Sequence, residues 1–439
     1  MMQLTKPRNL ERVVVTGMGG ETPQGDLEQT WASVLGGKSV IKPVVYSIQT
    51  PTEVGNRGRI KKRTTVREEV YLTAPLPDGW DNELDPKDKR RTDVNGQLLV
   101  LGIGRALNSA CLTERDRTDV GLITGTNLVF TEYNVDQIEC YIHFGVADPL
   151  AAAKVMINNA AGYGAIRYGL GGPNFALSSA CASGSMAVGE AFRKVQYGDA
   201  PIMLAAGVEG ATHPQNLYAF EQAKAYSTSL DKGAAASRPG SCSRDGFVMG
   251  NGCVVLVLES LNSALDRGAP ILAEIIGYGN TDDKDSLYDP PEDGEGLKRA
   301  IIRSLQDAEI YDQLAEIADQ CYYNGHTTGT PNGDSAELMA IRDAFGPKAV
   351  RMLKMSFTKS STGHLLGCAG ALEAALCVMV IQDQLIPPTI NLDDPDTKLG
   401  GLQVVKDNPL AATINYTISP SAGFGGHNGC VVIRKWKGE

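Results

Sequence analysis

The nine cysteines, Cys111, Cys140, Cys181, Cys242, Cys253, Cys321, Cys368, Cys377 and Cys430, form no CxxC pair and follow no short regular spacing. Cysteine scattered in this way excludes a clustered zinc site and argues against a disulfide framework. Reduced thiols, a cytoplasmic location and no metal are the expectations. Long apolar runs are missing as well. Nowhere do about 18 uninterrupted apolar residues occur, and Met1 to Arg12 has no apolar segment, so neither a membrane span nor a signal is expected. Basic charge is in deficit: 41 Lys and Arg stand against 51 Asp and Glu, a formal net of -10 that would repel a phosphate backbone and disfavours nucleic acid as a partner. Histidine is scarce, with five in 439 residues, and scarcity makes each placement informative.

What the chain does have is core and glycine. With 42% hydrophobic residues over 439 positions, it is longer than a single core supports, and two joined halves are the default. A β-branched run, a glycine turn and an amphipathic helix recur, as in Val13 to Thr16, Gly17 to Gly20 and Trp31 to Leu35. That alternation predicts an α/β layered fold. The pentapeptide Asn-Gly-Cys-Val-Val occurs at Asn251 to Val255 and again at Asn428 to Val432, each time opening an apolar strand. A shared motif in a shared context points to duplication. The halves then divide at 1–265 and 266–439. Two stretches, 45–92 and 281–296, are charged and proline-containing with weak periodicity, and are expected as surface excursions.

Asn174 to Leu177 reads as a strand running into Ser178-Ser179-Ala180-Cys181-Ala182-Ser183-Gly184, after which Val188, Ala191, Phe192 and Val195 mark a helix. A cysteine at that turn sits at a helix N-terminus, where the dipole and free N–H groups favour thiolate. Free cysteines are more often inert core residues, and that reading holds for the other eight. His326 and His364 lie in glycine-rich loops between a strand and a helix, where α/β proteins place their chemistry. His143 and His213 carry no such context.

In their order along the chain, Val13 to Gly19, Gly172 to Gly184, Ala236 to Glu259, Asn324 to Glu337, Lys359 to Glu373 and Gly423 to Val432 together resemble β-ketoacyl-[acyl carrier protein] synthases of the elongating Cys-His-His type. The resemblance spans Arg12 to Lys435. It implies a thiolase fold, a duplicated five-layered α-β-α-β-α arrangement, and a dimer. It implies decarboxylative condensation of an acyl group on Cys181 with a malonyl unit on acyl carrier protein, His326 and His364 serving decarboxylation, with no cofactor. Lys359, Asp334, Glu337 and Glu373 match the family's supporting residues. The backbone N–H groups of Cys181 and Ala422 match the oxyanion hole. In the loop Ala422, Gly423, Phe424, Gly425, most elongating members carry phenylalanine as a gate where this chain has Ala422, so the acyl pocket is expected to be more open. Asn251 replaces a usual glutamate, and Glu21 is a charged intrusion in an apolar turn. These departures suggest specialised polyketide or fatty-acid synthesis rather than housekeeping elongation.

A thiolase would need a second active-site cysteine and an initiating synthase a His and Asn pair. A non-catalytic chain-length partner would lack Cys181, so retention of Cys181 makes this the catalytic chain whether it forms a homodimer or pairs with such a partner. The carrier protein is acidic in such systems. A basic patch is therefore expected at the pocket mouth, from Lys87, Lys89, Arg90 and Arg91 or from Arg57, Arg59, Lys61, Lys62 and Arg63.

Overall fold

The computed structural model describes residues 10–56, 59–128 and 131–438, with side chains except at 49–65, 131 and 132. The β-branched run predicted at the start of the chain is the strand Val13–Glu21 (β1), buried on both faces as a central strand must be. Around it lie Val120–Gly125 (β2), Asn174–Leu177 (β3), Ile202–Glu209 (β4) and Gly252–Ser260 (β5). The second part of the chain adds Ala273–Asp282 (β6), Cys321–Asn324 (β7), Lys354–Ser356 (β8), Gln403–Val404 (β9), Tyr416–Gly423 (β10) and His427–Arg434 (β11).

Among the described residues these strands form one continuous sheet in the order β9-β8-β7-β10-β11-β6-β1-β5-β4-β2-β3. Read outward from the centre, β1-β5-β4-β2-β3 and β6-β11-β10-β7-β8 repeat the same pairings: antiparallel twice, then parallel twice. The two copies meet where Val13, Val14 and Val15 pair with Ile275, Glu274 and Ala273. The repeated Asn-Gly-Cys-Val-Val runs into β5 in one copy and lies in β11 in the other, so the sequence repeat falls on equivalent strands.

Helices complete the layers. Val94–Ser109 (α1) and Asn159–Tyr168 (α2) cover the outer face of the first copy, and Glu295–Asp307 (α4) with Pro331–Ala349 (α5) cover the second. Between the two sets of strands lie Ser183–Gln196 (α3) and Ala369–Asp383 (α6), which pack on each other and on strands of both copies. This gives five layers, α-β-α-β-α. Of the two, α6 is covered on nearly every side and is apolar almost all round, whereas α3 keeps Glu190, Arg193 and Lys194 on a partly exposed face. Leu366–Asp383 is long and apolar enough to cross a membrane by composition, and 83% of it is buried inside the protein.

Of the two expected surface excursions the first is corrected and the second holds. The 45–92 stretch holds a long antiparallel hairpin of Lys42–Asn56 and Arg59–Ala74, with Met249–Gly250 on its edge, followed by the helix Pro86–Arg91. Exposed Val45, Val66 and Val70 among charged neighbours hid the strand alternation. Within 281–296, Thr281 and Asp282 end β6 and Glu295 opens α4, and the mostly exposed turn between them borders the cavity described below.

Candidate active site

β3 ends at Leu177 and α3 begins at Ser183, so the chain must reverse within five residues. It does so through Ala180, whose φ of 49° is left-handed and costly for a residue with a side chain. Ser183 holds the turn: its hydroxyl donates to the Ala180 carbonyl at 2.6 Å and accepts from the Ser179 N–H at 2.8 Å. Cys181 therefore sits just ahead of the helix, as the sequence predicts. Gly423 closes against it, where a Cβ would lie 2.6 Å from the Ser179 oxygen and 3.0 Å from the Cys181 nitrogen.

The turn opens into a cavity of about 480 Å³ lined by Cys181, His326, His364, Ala422, Gly423 and Phe424. Cys181 comes from the first copy and the histidines from the second, with their rings 5.4 Å apart and nearly perpendicular. Burial, the Lys359 cation and, for His326, the neighbouring His364 hold both imidazoles well below their ordinary range, so both are neutral. The Ala422 carbonyl also lies against the His326 ring. Neither ring nitrogen of His364 has a partner among the described residues, although the side chain is buried. A neutral N–H left unpaired in such a place suits an incoming oxygen.

The supporting residues hold these loops. Lys359 is buried, ion-paired with Glu373, and its ammonium lies 3.4 Å from His326 Nδ1. Glu337 accepts from the backbone N–H groups of His326 at 2.8 Å and Thr327 at 2.5 Å. Asp334 accepts from Gly329 at 3.0 Å and Gly240 at 2.9 Å. Burial pushes Asp334 up to about 6, and Glu337 and Glu373 up to about 7. The expectation of a thiolate at Cys181 is corrected: burial pushes the thiol up to about 12, outweighing the Lys359 cation, and it rests protonated. Cys368 also caps a helix, α6, but it is wholly buried and lines no part of the cavity.

Family models for the β-ketoacyl synthase N-terminal and C-terminal domains match residues 10–264 and 272–393. The chain belongs to the β-ketoacyl synthase family. It is a condensing enzyme with the thiolase fold. It is 36% identical over 431 residues to 3-oxoacyl-[acyl-carrier-protein] synthase 2 of Vibrio cholerae, covering 97% of this chain and 99% of that one. It superposes on a β-ketoacyl synthase from Burkholderia phymatum with a TM-score of 0.83 at 27% identity, covering 98% and 100% of the two chains. A ketosynthase bound to its type II polyketide acyl carrier protein gives a TM-score of 0.80 at 27% identity, covering 98% of this chain and all of that one.

The two unusual residues of this synthase are absorbed by pairing. Glu21 is buried against Arg105 at 2.5 Å, and Asn251 accepts from the N–H groups of Ala211 at 2.9 Å and Thr212 at 3.1 Å. The first basic patch is not at the mouth: Lys87, Lys89, Arg90 and Arg91 line no part of the cavity, and Lys89 is paired with Asp81. In the second patch, residue 57 and the side chains of Arg59, Lys61, Lys62 and Arg63 lie outside the described residues. The cation that lines the cavity mouth is exposed Lys224, held at a left-handed φ of 55°.

Sequence reasoning placed the turn after β6 on the surface, where it lies, but missed that it borders the cavity. Leu287 and Tyr288 line the cavity, the Leu287 carbonyl accepts from Gly425 N–H at 2.8 Å, and the Tyr288 ring stands edge-on to Phe424 at 5.9 Å. An apolar pair inside an acidic stretch was the available signal. Phe424 in turn meets Phe220, and Phe220 meets Phe247, which packs on His364.

Proposed function

We propose that Cys181 takes an acyl group from acyl carrier protein and that His326 and His364 serve the loss of CO₂ from malonyl on the same carrier. The observation that carries this is a neutral histidine pair and a thiol at a left-handed turn on one cavity. The Cys181 sulfur attacks the acyl thioester carbonyl, its proton passes to the departing carrier thiolate, and the oxyanion rests on the N–H groups of Cys181 and Ala422. Malonyl thioester then enters. Its carbonyl accepts from the two imidazole N–H groups, CO₂ leaves, and the enolate carbon attacks the acyl group on Cys181. The thiolate departs and 3-oxoacyl-[acyl carrier protein] is released. No step calls on a metal or a nucleotide.

Cys181→Ala tests the assignment. With acyl and malonyl carriers supplied together, mass spectrometry should find no acyl adduct and no 3-oxoacyl product, while CO₂ release continues. Elongation above a trace would remove Cys181 from the chemistry.

Ala422 favours specialised fatty-acid or polyketide synthesis within this reading, because a small side chain at the pocket entrance leaves room for acyl chains rigid or substituted near the thioester. The working form is a dimer. Among the described residues Asn174–Leu177 is an open sheet edge with Phe175 exposed, and the helix Thr131–Phe144 exposes Ile138, Tyr141, Ile142 and Phe144. An unpaired strand and exposed apolar side chains call for a partner, and a second copy supplies the same edge. All nine cysteines are free, which suits a cytoplasmic setting.

A further inference from the structure

The two middle helices begin alike. Ala180 before α3 and Leu366 before α6 both take left-handed φ, 49° and 46°, each three residues ahead of its helix. Aligned on these residues, Cys181 corresponds to Gly367 and Gly184 to Gly370. The alignment has an independent check, because the helix backbones touch at that glycine pair. A Cβ on Gly184 would lie 2.8 Å from the Ala371 nitrogen, and one on Gly370 would lie 2.4 Å from the Ser185 nitrogen. The second copy thus carries a socket built like the one around Cys181, with glycine in the nucleophile's place.

That socket is filled from within. Glu209, the last residue of β4, is wholly buried, and its carboxyl group accepts from the N–H groups of Gly367 at 3.0 Å, Asn127 at 3.1 Å and Leu128 at 3.1 Å. A Cβ at position 367 would lie 2.9 Å from a Glu209 oxygen. The strand equivalent to β4 is β10, whose end brings Ala422 and Gly423 to Cys181. Each nucleophile turn therefore faces a strand end from the opposite copy: a backbone N–H donor at one, a carboxyl group at the other.

We propose that Glu209 is a positioning residue, an internal carboxyl group in the disarmed second socket that fixes the His364 turn against the Cys181 turn. Gly367 lies three residues past His364. Asn127 and Leu128 follow Thr126, whose carbonyl accepts from Ser183 in the Cys181 turn at 3.2 Å. One carboxyl group therefore ties the two reacting loops across the seam between copies. Burial pushes Glu209 up to about 8 despite its three donors, so at neutral pH the carboxyl largely keeps its proton while its oxygens accept from the three N–H groups. The inference rests on the proposed roles of Cys181 and His364.

The test compares wild type, Glu209→Gln and Glu209→Ala in three separate rates: acyl transfer to Cys181, malonyl decarboxylation and complete condensation. Loss of relative placement should lower condensation by about tenfold or more beyond either half-reaction, since a misplacement of about 1 Å can cost roughly 10²-fold. Glu209→Gln, which keeps a carbonyl for Gly367, should lose less. Formate should restore part of the condensation rate of Glu209→Ala by refilling the socket. Equal loss in all three rates, unchanged condensation, or no gain with formate overturns the proposal. A wild type that takes no acyl group on Cys181 would instead refute the reading of the site itself.

Discussion

At the residue scale, the chemistry depends on charges being absent where solution values would put them. The Cys181 thiol is raised and both cavity histidines, His326 and His364, are lowered, chiefly by burial. Neutral imidazoles donate N–H without competing for the malonyl carboxylate, and they stay neutral below the ordinary histidine value of 6.5 because their own values lie under it. Decarboxylation by Cys181→Ala should therefore stay flat as pH falls through 6.5, followed as CO₂ release. A rate that halves at that ordinary value would show that one ring titrates as if exposed. His326→Ala and His364→Ala should each lose at least about 10²-fold in decarboxylation, the scale of a lost oxyanion donor, while acyl transfer to Cys181 persists in part. Failure of acylation in folded variants would give the rings to the thiol instead.

At the scale of elements, the mouth of the cavity is two turns locked together. The 422–426 turn and the turn after β6 share bonds from Gly425 to Leu287 and from Asp283 to Gly426, both 2.8 Å. A ring added at 422 has little room to displace its neighbours, and overpacking costs about 1 to 3 kcal/mol, roughly one to two decades in rate. Ala422→Phe should thus suppress acylation by conjugated or branched acyl carriers while sparing short saturated ones. Matched acyl carriers and mass spectrometry of Cys181 would measure this, and an equal effect on both classes would detach the alanine from substrate choice. Much of this scale was legible in the sequence. The nucleophile turn, both histidine loops and α6 show in glycine spacing and 3.6-residue periodicity. The place of the turn after β6 at the cavity mouth was not, because its composition shows only a solvated loop and the bonds that hold it there come from the distant Gly425 and Gly426.

At the scale of the whole molecule, one pentapeptide repeated at two places disclosed the duplication, and the sheet order bears it out strand by strand. Glu209 was invisible for the complementary reason: it ends an apolar strand as any surface acid does, and only the opposite copy's turn gives it a task. The open edge is a consequence of the same duplication, since the sheet closes on itself at its centre and not at β3. Phe175→Lys, placing a charge on that edge, should convert the proposed dimer to a monomer in sedimentation, with activity falling alongside. A wild-type chain that sediments as a monomer would remove the dimer from the account. One feature of the seam reaches further. Where Gly184 meets Gly370 there is no side chain at all, only two hydrogen atoms between one helix and the other. A methyl group there would act as a shim, prising the sulfur and the imidazoles apart by a margin that no loop could take up. The mouth can be retailored for new chains while the reaction distance is set from behind, by the thinnest spacer a protein has.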